Sequence, residues 1–361
     1  MRVTNNMMTA NAVWNINKNM ERLNKAQEEY TTQSKIQLPS DDPIVATRAV
    51  KYRSYVANIE QYQKNVESAI SWQKVTEGAL DDLGDVVIQL KELVTQASST
   101  GTMTDSDLED IKSEITELRQ TALDIMNTSY AGRYVFGGYA TDKEPYSLDE
   151  TSTEAASVGG RVLFKGEYLS VGGAINASID DATITSFCTT AYNNSKIYDS
   201  AADGEQDIQY NVGFGSSLPV NVEGQDVTGE GLNSLFDTFA KILIGLDGGT
   251  SYKTATVDSA GNVTVNPATS YELTDMLDEL SKNHETILTA QTALGARMNY
   301  ANMAQSRLES DYTTYTKLMS ENEDADLALS YSDVSTAEYV YEASLSTSAK
   351  VMGKSLVDFL T

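Results

Sequence analysis

The chain has 361 residues, of which 40% are hydrophobic, and its formal charge at pH 7 is −26. Such an excess of negative charge repels phosphate backbones and anionic lipid headgroups, so we expect neither nucleic-acid binding nor a membrane-surface role. With one cysteine and one histidine, the chain excludes an intramolecular disulfide and a zinc cage built from these two residue types.

The N-terminal part predicts one amphipathic helix followed by a break. Apolar or permissive residues recur at alternating spacings of three and four, which places them along one helical seam. They are Val13, Ile16, Met20, Leu23, Gln27 and Tyr30. The segment Pro39-Ser40-Asp41-Asp42-Pro43 follows; Pro39 biases Leu38 away from helical backbone, and Pro43 suits the first position of a new helix behind an Asp cap. We predict a hinge at these five residues.

Two long heptad patterns flank the middle of the chain. The first comprises Tyr52, Tyr55, Ile59, Tyr62, Val66, Ala69, Gln73, Thr76, Leu80, Leu83, Val87, Leu90, Val94 and Ala97. The second comprises Leu273, Leu277, Leu280, His284, Ile287, Gln291, Leu294, Met298, Ala301, Gln305, Leu308, Tyr312, Tyr315 and Met319. A 3.5-residue repeat favours rod-like helix pairing. A short break at 98–102 precedes another amphipathic helix from Asp105 or Ser106, which predicts an antiparallel hairpin.

The composition changes between about residues 139 and 270, where Gly, Thr, Ser, Val and Asp dominate. Short alternating runs predict strands at 161–165, 168–171, 182–185, 207–212, 220–222 and 263–265. One amphipathic helix interrupts them, with Leu232, Leu235, Phe236, Phe239, Leu243 and Leu246 on its apolar face. This section holds 18 acidic and 6 basic residues. It therefore reads as a solvated, acidic, β-rich insert.

The predicted fold is mainly α with a β-rich insert, in which the N- and C-terminal halves form a long coiled-coil-like helical rod around a central acidic domain. A last helix carries Tyr341, Leu345, Ala349, Met352, Leu356 and Phe359 on one face. The predicted parts are an N-terminal helix at 1–42, a rod segment at 43–138, the insert at 139–270, a returning rod helix at 271–322 and a C-terminal helix at 323–361.

None of the short motifs in the sequence supports an enzyme. His284-Glu285 begins like a zinc-protease motif, but the chain has no second histidine. Ser71 and Lys74 have the S-x-x-K spacing, yet they lie in a heptad helix without the partner motifs of that enzyme class. The acidic stretch 321–326 lacks the glycine and closing glutamate of an EF-hand, and Cys188 has no neighbouring base. We predict no catalytic residue, cofactor or metal site.

Several stretches resemble the flagellin superfamily, and within it the subunits of the hook–filament junction. The most specific is Ile36-Gln37-Leu38-Pro39-Ser40-Asp41-Asp42-Pro43. Arg133-Tyr134-Val135-Phe136-Gly137-Gly138 is similar to the end of the family's N-terminal helical part, and Leu294-Gly295-Ala296-Arg297-Met298-Asn299 to its returning helix. The resemblance covers 1–140 and 270–361 well and the insert weakly. One departure is Gln33-Ser34, where the family usually has a turn that contains glycine.

This resemblance implies a ring of subunits between hook and filament, outside the cell, on the bacterial flagellum. Such subunits are exported unfolded through the flagellar type III apparatus, which agrees with an N-terminus that has no apolar segment typical of a cleaved signal. The implied partners are further copies of the chain, the adjoining hook-associated junction protein, flagellin, and an export chaperone on the C-terminal region.

The terminal helices of such subunits, here 1–42 and 323–361, are mobile in the monomer and pack together on assembly. That agrees with the sequence, because an isolated amphipathic helix cannot bury its seam alone. The residues predicted for this assembly interface are Val13, Ile16, Met20, Leu23, Tyr30, Leu345, Met352, Leu356 and Phe359.

Two other interpretations of the sequence remain open. Flagellin is also a structural protein, although Pro39–Pro43 and the ending Leu356–Leu360 favour a junction subunit. An adhesin-like role for the insert would use Tyr192, Tyr198 or Tyr210 to bind glycans. A proteolytic flagellin-type enzyme would need a metal site, which the single histidine excludes.

Overall fold

The computed structural model describes residues 5–99, 104–150, 160–270 and 272–357. The chain is mainly α-helical, and a region of short antiparallel strands lies between the helical N- and C-terminal parts, which confirms the predicted fold class. The residues group into two compact units, 1–61 with 307–361, and 62–306. We call them the terminal unit and the central unit and describe each by itself.

The described helices are α1 (Asn5–Thr32), α2 (Pro43–Ala97), α3 (Asp105–Met126), α4 (Asp181–Asn193), α5 (Ser200–Asp203), α6 (Gly224–Thr228), α7 (Leu235–Leu246), α8 (Asp275–Glu323) and α9 (Leu327–Val357). The described strands are β1 (Ser129–Tyr130), β2 (Arg133–Tyr134), β3 (Tyr146–Asp149), β4 (Arg161–Phe164), β5 (Glu167–Tyr168), β6 (Ile175–Asn176), β7 (Gln209–Gly213), β8 (Ser216–Pro219), β9 (Ser251–Lys253), β10 (Ala255–Val257), β11 (Val263–Val265) and β12 (Thr269–Ser270).

The strands form small antiparallel sheets. Two have three strands, in the orders β3-β4-β5 and β12-β9-β6. The hairpins β1-β2, β7-β8 and β10-β11 complete the set among the described residues. Sheets this small bury little on their own, so their stability depends on the helices that pack against them.

The core of the central unit is where α2, α3, α7 and α8 meet the sheets. Its fully buried residues follow the predicted heptads, including Leu80, Leu83, Val87, Leu90 and Val94 on α2, Ile115 on α3, and Leu280 and Leu294 on α8. Each such side chain contributes roughly 1.5–3 kcal/mol by leaving water. Helix α3 starts with a capping box, because Thr104 and Asp107 each hold the other's backbone N–H.

Two of the predicted strands are wrong, and a third, 168–171, is confirmed only at Tyr168, because the residues after β5 form a turn. Residues 182–185 belong to α4, which Asp180 caps and which buries Ile184, Cys188 and Ala191 at helical spacing. Residues 220–222 are extended but belong to no described strand. The N–H of Val220 donates to the carbonyl oxygen of Ile208, and the Asn221 side chain makes the next two bonds, accepting from the N–H of Ile208 and donating to the carbonyl oxygen of Gln206. An alternating run of three or four residues is too short to separate these possibilities.

Candidate assembly interface

In the terminal unit, α1 packs against α9. The end of α1 lies beside the start of α9, since the rings of Tyr30 and Tyr331 have centroids 6.0 Å apart, so the two helices are antiparallel. The residues of α1 with reduced exposure are mainly Thr9, Ala12, Ile16, Asn19, Leu23 and Ala26. Those of α9 are Ser330, Val334, Ala337, Tyr341, Ser344 and Ser348. These twelve residues form a heptad seam that is rich in small side chains.

The structure places only part of the predicted interface on this seam. Ile16 and Leu23 are half-buried on it. Val13, Met20 and Leu345 are instead exposed, at 46%, 47% and 41% of their surface. Tyr30 is also mainly exposed beyond its contact with Tyr331. The described part of α9 includes the helical backbone but not the side chains of Met352 and Leu356, and Phe359 lies outside the described residues.

The reason for this difference is the heptad register. The sequence pattern selected large apolar residues such as Val13 and Met20, whereas the structure uses the preceding residues, Ala12 and Asn19, as the seam. Small side chains allow close approach of two backbones, but they carry little hydrophobic signal. A repeat of Ala or Ser at spacings of three and four, as at Ala337 and Ser344, is the signal that would have revealed the seam.

The two sides of the seam differ in polarity. On one side lie Val13, Met20, Gln27, Tyr331, Glu338 and Leu345, each directly after a seam residue. On the other side lie Asn15, Arg22, Glu29, Asp333, Val340 and Thr347. Equivalent heptad positions of two antiparallel helices fall on the same side of the pair, so the first set forms one surface. We call Val13, Met20, Tyr331 and Leu345 the apolar flank, and the second set the polar flank.

The predicted hinge segment caps α2. Helix α2 begins at Pro43, as predicted, and the Asp42 carboxylate accepts hydrogen bonds from the backbone N–H groups of Ile44 (2.9 Å) and Val45 (3.1 Å). The carboxylate of Asp41 accepts from the N–H of Leu38 and from Lys25 Nζ, both at 3.1 Å. These bonds hold the pKa of Asp41 below its usual value, the Leu38 N–H being the largest cause and the Lys25 side chain the next.

The residues whose motifs resemble those of enzymes or metal sites have packing and capping contacts in the structure. His284 is half-buried on α8 opposite Gly84, and Cys188 is buried with its Sγ 3.9 Å from the carbonyl oxygen of Val171. Asp326 caps α9 through the N–H groups of Ala328 and Leu329. No group of three or more His, Cys, Asp or Glu side chains in the described residues could hold a metal ion. No described helix is long and apolar enough to cross a membrane.

The three tyrosines considered for glycan binding lie in three different environments. Tyr192 donates a hydrogen bond to the carbonyl oxygen of Ser259, and the buried ring of Tyr198 packs edge-on against Phe164. Tyr210 lies half-buried in β7. Glycan binding by the insert stays a prediction.

Comparison with known proteins finds similarity to bacterial flagellar proteins. Residues 3–141 match the model of the bacterial flagellin N-terminal helical region. Flagellar hook-associated protein 3 of Escherichia coli is 31% identical over 153 residues, 42% of this chain and 47% of that protein. Flagellin of Escherichia coli is 27% identical over 265 residues, 70% of this chain and 49% of that protein. The chain thus spans about half the length of the curated relatives it matches.

A solved structure with the same fold is that of a flagellar hook-associated protein from Vibrio parahaemolyticus. It aligns with a TM-score of 0.54 and 15% identity, over 79% of this chain and all of the other. At that identity the likeness shows the fold alone. This likeness in fold and the match of residues 3–141 are both consistent with the helical N-terminal part described above. Across residues 3–141 the chain therefore matches the N-terminal helical region of bacterial flagellin, and it resembles flagellar hook-associated protein 3.

Proposed function

We propose that the chain is a structural subunit of the bacterial flagellum that forms the junction ring between hook and filament. The observation that carries the proposal is the similarity to flagellar hook-associated protein 3, at 31% identity over 153 residues. The protein works as an adaptor and not as an enzyme: it couples two polymers by matching one surface to each. Its partners are copies of itself, the adjoining hook-associated junction protein and flagellin.

The apolar flank is the surface through which one subunit contacts the next. Val13, Met20 and Leu345 leave large apolar area in water in the single chain, whereas on the polar flank only Val340, 40% exposed, does so. Exposed apolar area that is concentrated on one side of a helix pair is typical of a subunit contact. Of the predicted interface residues, Ile16 and Leu23 thus pair α1 with α9, and Val13, Met20 and Leu345 contact a second copy.

The subunit works outside the cell and reaches that place through the flagellar type III apparatus, without a cleaved signal. An export chaperone binds its C-terminal region before export. The segment Pro39–Pro43 lies on the connection from α1 to α2. The charge of −26 disfavours nucleic acid and anionic membrane as additional partners.

Deletion of the gene in its native host tests the function. We expect cells that release flagellin into the medium but carry hooks without filaments, with recovery when the wild-type chain is supplied. Filaments that remain attached to hooks in the deletion strain would overturn the proposal. Loss of the main filament protein itself would instead identify flagellin, the alternative that the 265-residue similarity to flagellin supports.

A pair of substitutions on α9 tests the flank. Leu345→Asp places a charge on the apolar flank, and Thr347→Asp places the same charge two residues away on the polar flank, where the side chain is also exposed. We expect Leu345→Asp to abolish incorporation at the hook tip while Thr347→Asp is incorporated normally. Equal incorporation of the two variants, at equal helical content by circular dichroism, would contradict the flank assignment.

A further inference from the structure

The two chain connections of the terminal unit run side by side. Residues 33–42 join α1 to α2, and residues 324–326 join α8 to α9. The N–H of Lys35 donates to the carbonyl oxygen of Glu323 (2.8 Å), and the N–H of Ala325 donates to that of Gln33 (2.9 Å). These two bonds make an antiparallel bridge in which Ser34 faces Asp324. Residues about 290 positions apart therefore form one backbone contact, which lies just after the end of α1 and just before the start of α9.

Side chains reinforce this bridge from both connections. Lys35 Nζ donates to the carbonyl oxygen of Glu321 (2.8 Å), one of the carbonyls that the end of α8 leaves without a helical partner. Asn322 Nδ2 donates to the carbonyl oxygen of Val45 (3.1 Å). The Arg53 guanidinium binds the carboxylate of Glu323, a residue that is only 8% exposed. The end of α8 is thus fixed to the first turns of α2 and to the connection that follows α1.

The lengths of non-helical chain between the bridge and the neighbouring helices are unequal. Helix α1 ends at Thr32, α8 ends at Glu323 and α9 begins at Leu327, so all three stop within a few residues of the bridge. Only the path to α2 has a spacer, residues 36–42, which contains the predicted hinge except for Pro43, the first residue of α2. Gln33, next to the bridge, has a φ of +57°, a left-handed conformation in which a side chain costs about 1–2 kcal/mol relative to ordinary backbone. The bridge holds this residue in place.

We propose that the Ser34–Asp324 bridge is a single joint shared by both termini, so that α1 and α9 change direction together in assembly. The bridge stays closed when the subunit is assembled. The segment Pro39–Pro43 is then a spacer that follows the movement and does not set the pivot. This inference rests on the proposed function, because it describes how an assembled subunit places its terminal helices.

A disulfide between the two bridge residues tests whether the joint stays closed. In a bridge with this bonding pattern the facing Cα atoms are about 4.5 Å apart, which is within the range of a disulfide. The double variant Ser34→Cys/Asp324→Cys keeps the buried Cys188, and the linkage is mapped by mass spectrometry. We expect the bond to form on mild oxidation and the oxidised protein to join hooks to filaments as well as the reduced protein.

The outcomes of this experiment separate the inference from the function. Failure of the disulfide to form, or assembly by the reduced protein but not by the oxidised one, would overturn the shared joint. Failure of wild-type protein to assemble in the same assay would overturn the proposed function, whatever the double variant does.

A backbone substitution provides a second test. Lys35→Pro removes the N–H that bonds to Glu323 and also the Nζ that bonds to the carbonyl oxygen of Glu321, whereas Gln37→Pro removes an N–H two residues later that faces Asp41 on its own connection. Measured by hydrogen exchange, Lys35→Pro is expected to raise exchange at 324–332 by at least about fivefold, which is the equivalent of the backbone hydrogen bond alone. Gln37→Pro leaves that segment unchanged. Equal effects of the two variants at 324–332 would contradict a joint that links the connections.

Discussion

Lys241 on α7 ties three parts of the central unit together, and its removal should be costly. Its side chain is 1% exposed, and its Nζ contacts Glu279 Oε2 on α8 (2.8 Å), the carbonyl oxygen of Leu232 (2.7 Å) and Asp237 Oδ2 (3.4 Å). Burial opposes its charge, but attraction to Asp237 and Glu279 leaves the pKa of Lys241 raised, so it is protonated at neutral pH.

Asp237 depends on this lysine because its carboxylate is completely buried. Oδ1 accepts from the N–H of Ala174 (2.7 Å), and Arg161 Nη1 lies 4.0 Å away. Burial raises the pKa of Asp237, and the charges of Lys241 and Arg161 work against that rise. In Lys241→Met, a substitution of similar length, the carboxylate would lose its closest cation. Removing one partner of a buried pair costs about 3–5 kcal/mol.

A double-mutant cycle measures the coupling between the two residues. Asp237→Asn keeps the acceptor for Ala174 but removes the charge, so the double variant Asp237→Asn/Lys241→Met has no buried Asp237 carboxylate that lacks Lys241. Glu279 loses Lys241 and Arg161 loses the Asp237 charge in the corresponding single variants as well, so these two losses cancel in the cycle. We expect it to lose about 1–3 kcal/mol less than the sum of the single variants. Urea unfolding followed by Trp72 fluorescence, in a Trp14→Phe background, reports on the central unit, where Trp72 is buried. A loss below about 1 kcal/mol for Lys241→Met, or strict additivity, would refute the reasoning.

Three further predictions concern the terminal unit. Leu23→Ala on the seam should lower the free energy of unfolding by about 1–2 kcal/mol and Val13→Ala by less than about 0.5 kcal/mol, measured by thermal melts; the reverse order would contradict the seam. The pKa of Asp41 is lower in the folded chain than in the unfolded chain. Its contribution to the free energy of unfolding is therefore complete above the usual pKa range of a carboxyl group, and it is lost as the pH falls through the lowered pKa of the folded chain. Hydrogen exchange at 37–45 should therefore increase below about pH 4 in the wild-type chain, and an Asp41→Asn variant with the same increase would contradict this cause. Gln33→Gly should raise the melting temperature and Gln33→Val should lower it, because the position is left-handed; a lower melting temperature for the glycine variant would argue against strain there.

The parts of the fold that local chemistry controls were predictable. The start of α2 follows from a proline behind an aspartate, and the buried positions of α2, α3 and α8 follow from heptads of large apolar residues. The register of α1 was not predictable in the same way, because Ala12 and Asn19 give no hydrophobic signal beside Val13 and Met20. The strand prediction at 182–185 failed for a related reason: four residues do not distinguish alternation from one turn of α4.

The joint at Ser34 and Asp324 could not be found from sequence patterns. It consists of two backbone hydrogen bonds between distant residues, and backbone bonds of this kind need no particular side chain. The sequence shows Gln33-Ser34 where the family usually has a turn that contains glycine. In the structure Gln33 adopts the left-handed backbone conformation that glycine would favour, so the turn is kept without the glycine. The apolar flank was visible only as single residues until the antiparallel arrangement of α1 and α9 assembled them.

The small-residue seam also governs how the chain ends respond to pulling. Alanine, serine and threonine side chains bury few methylene groups, so each turn of the α1–α9 pair is held by little apolar area. The leucine- and valine-rich core around α2 and α8 is held by much more. A force applied to either end of the polypeptide therefore separates the terminal pair turn by turn at low tension, before the central core yields, which would suit the export route proposed above.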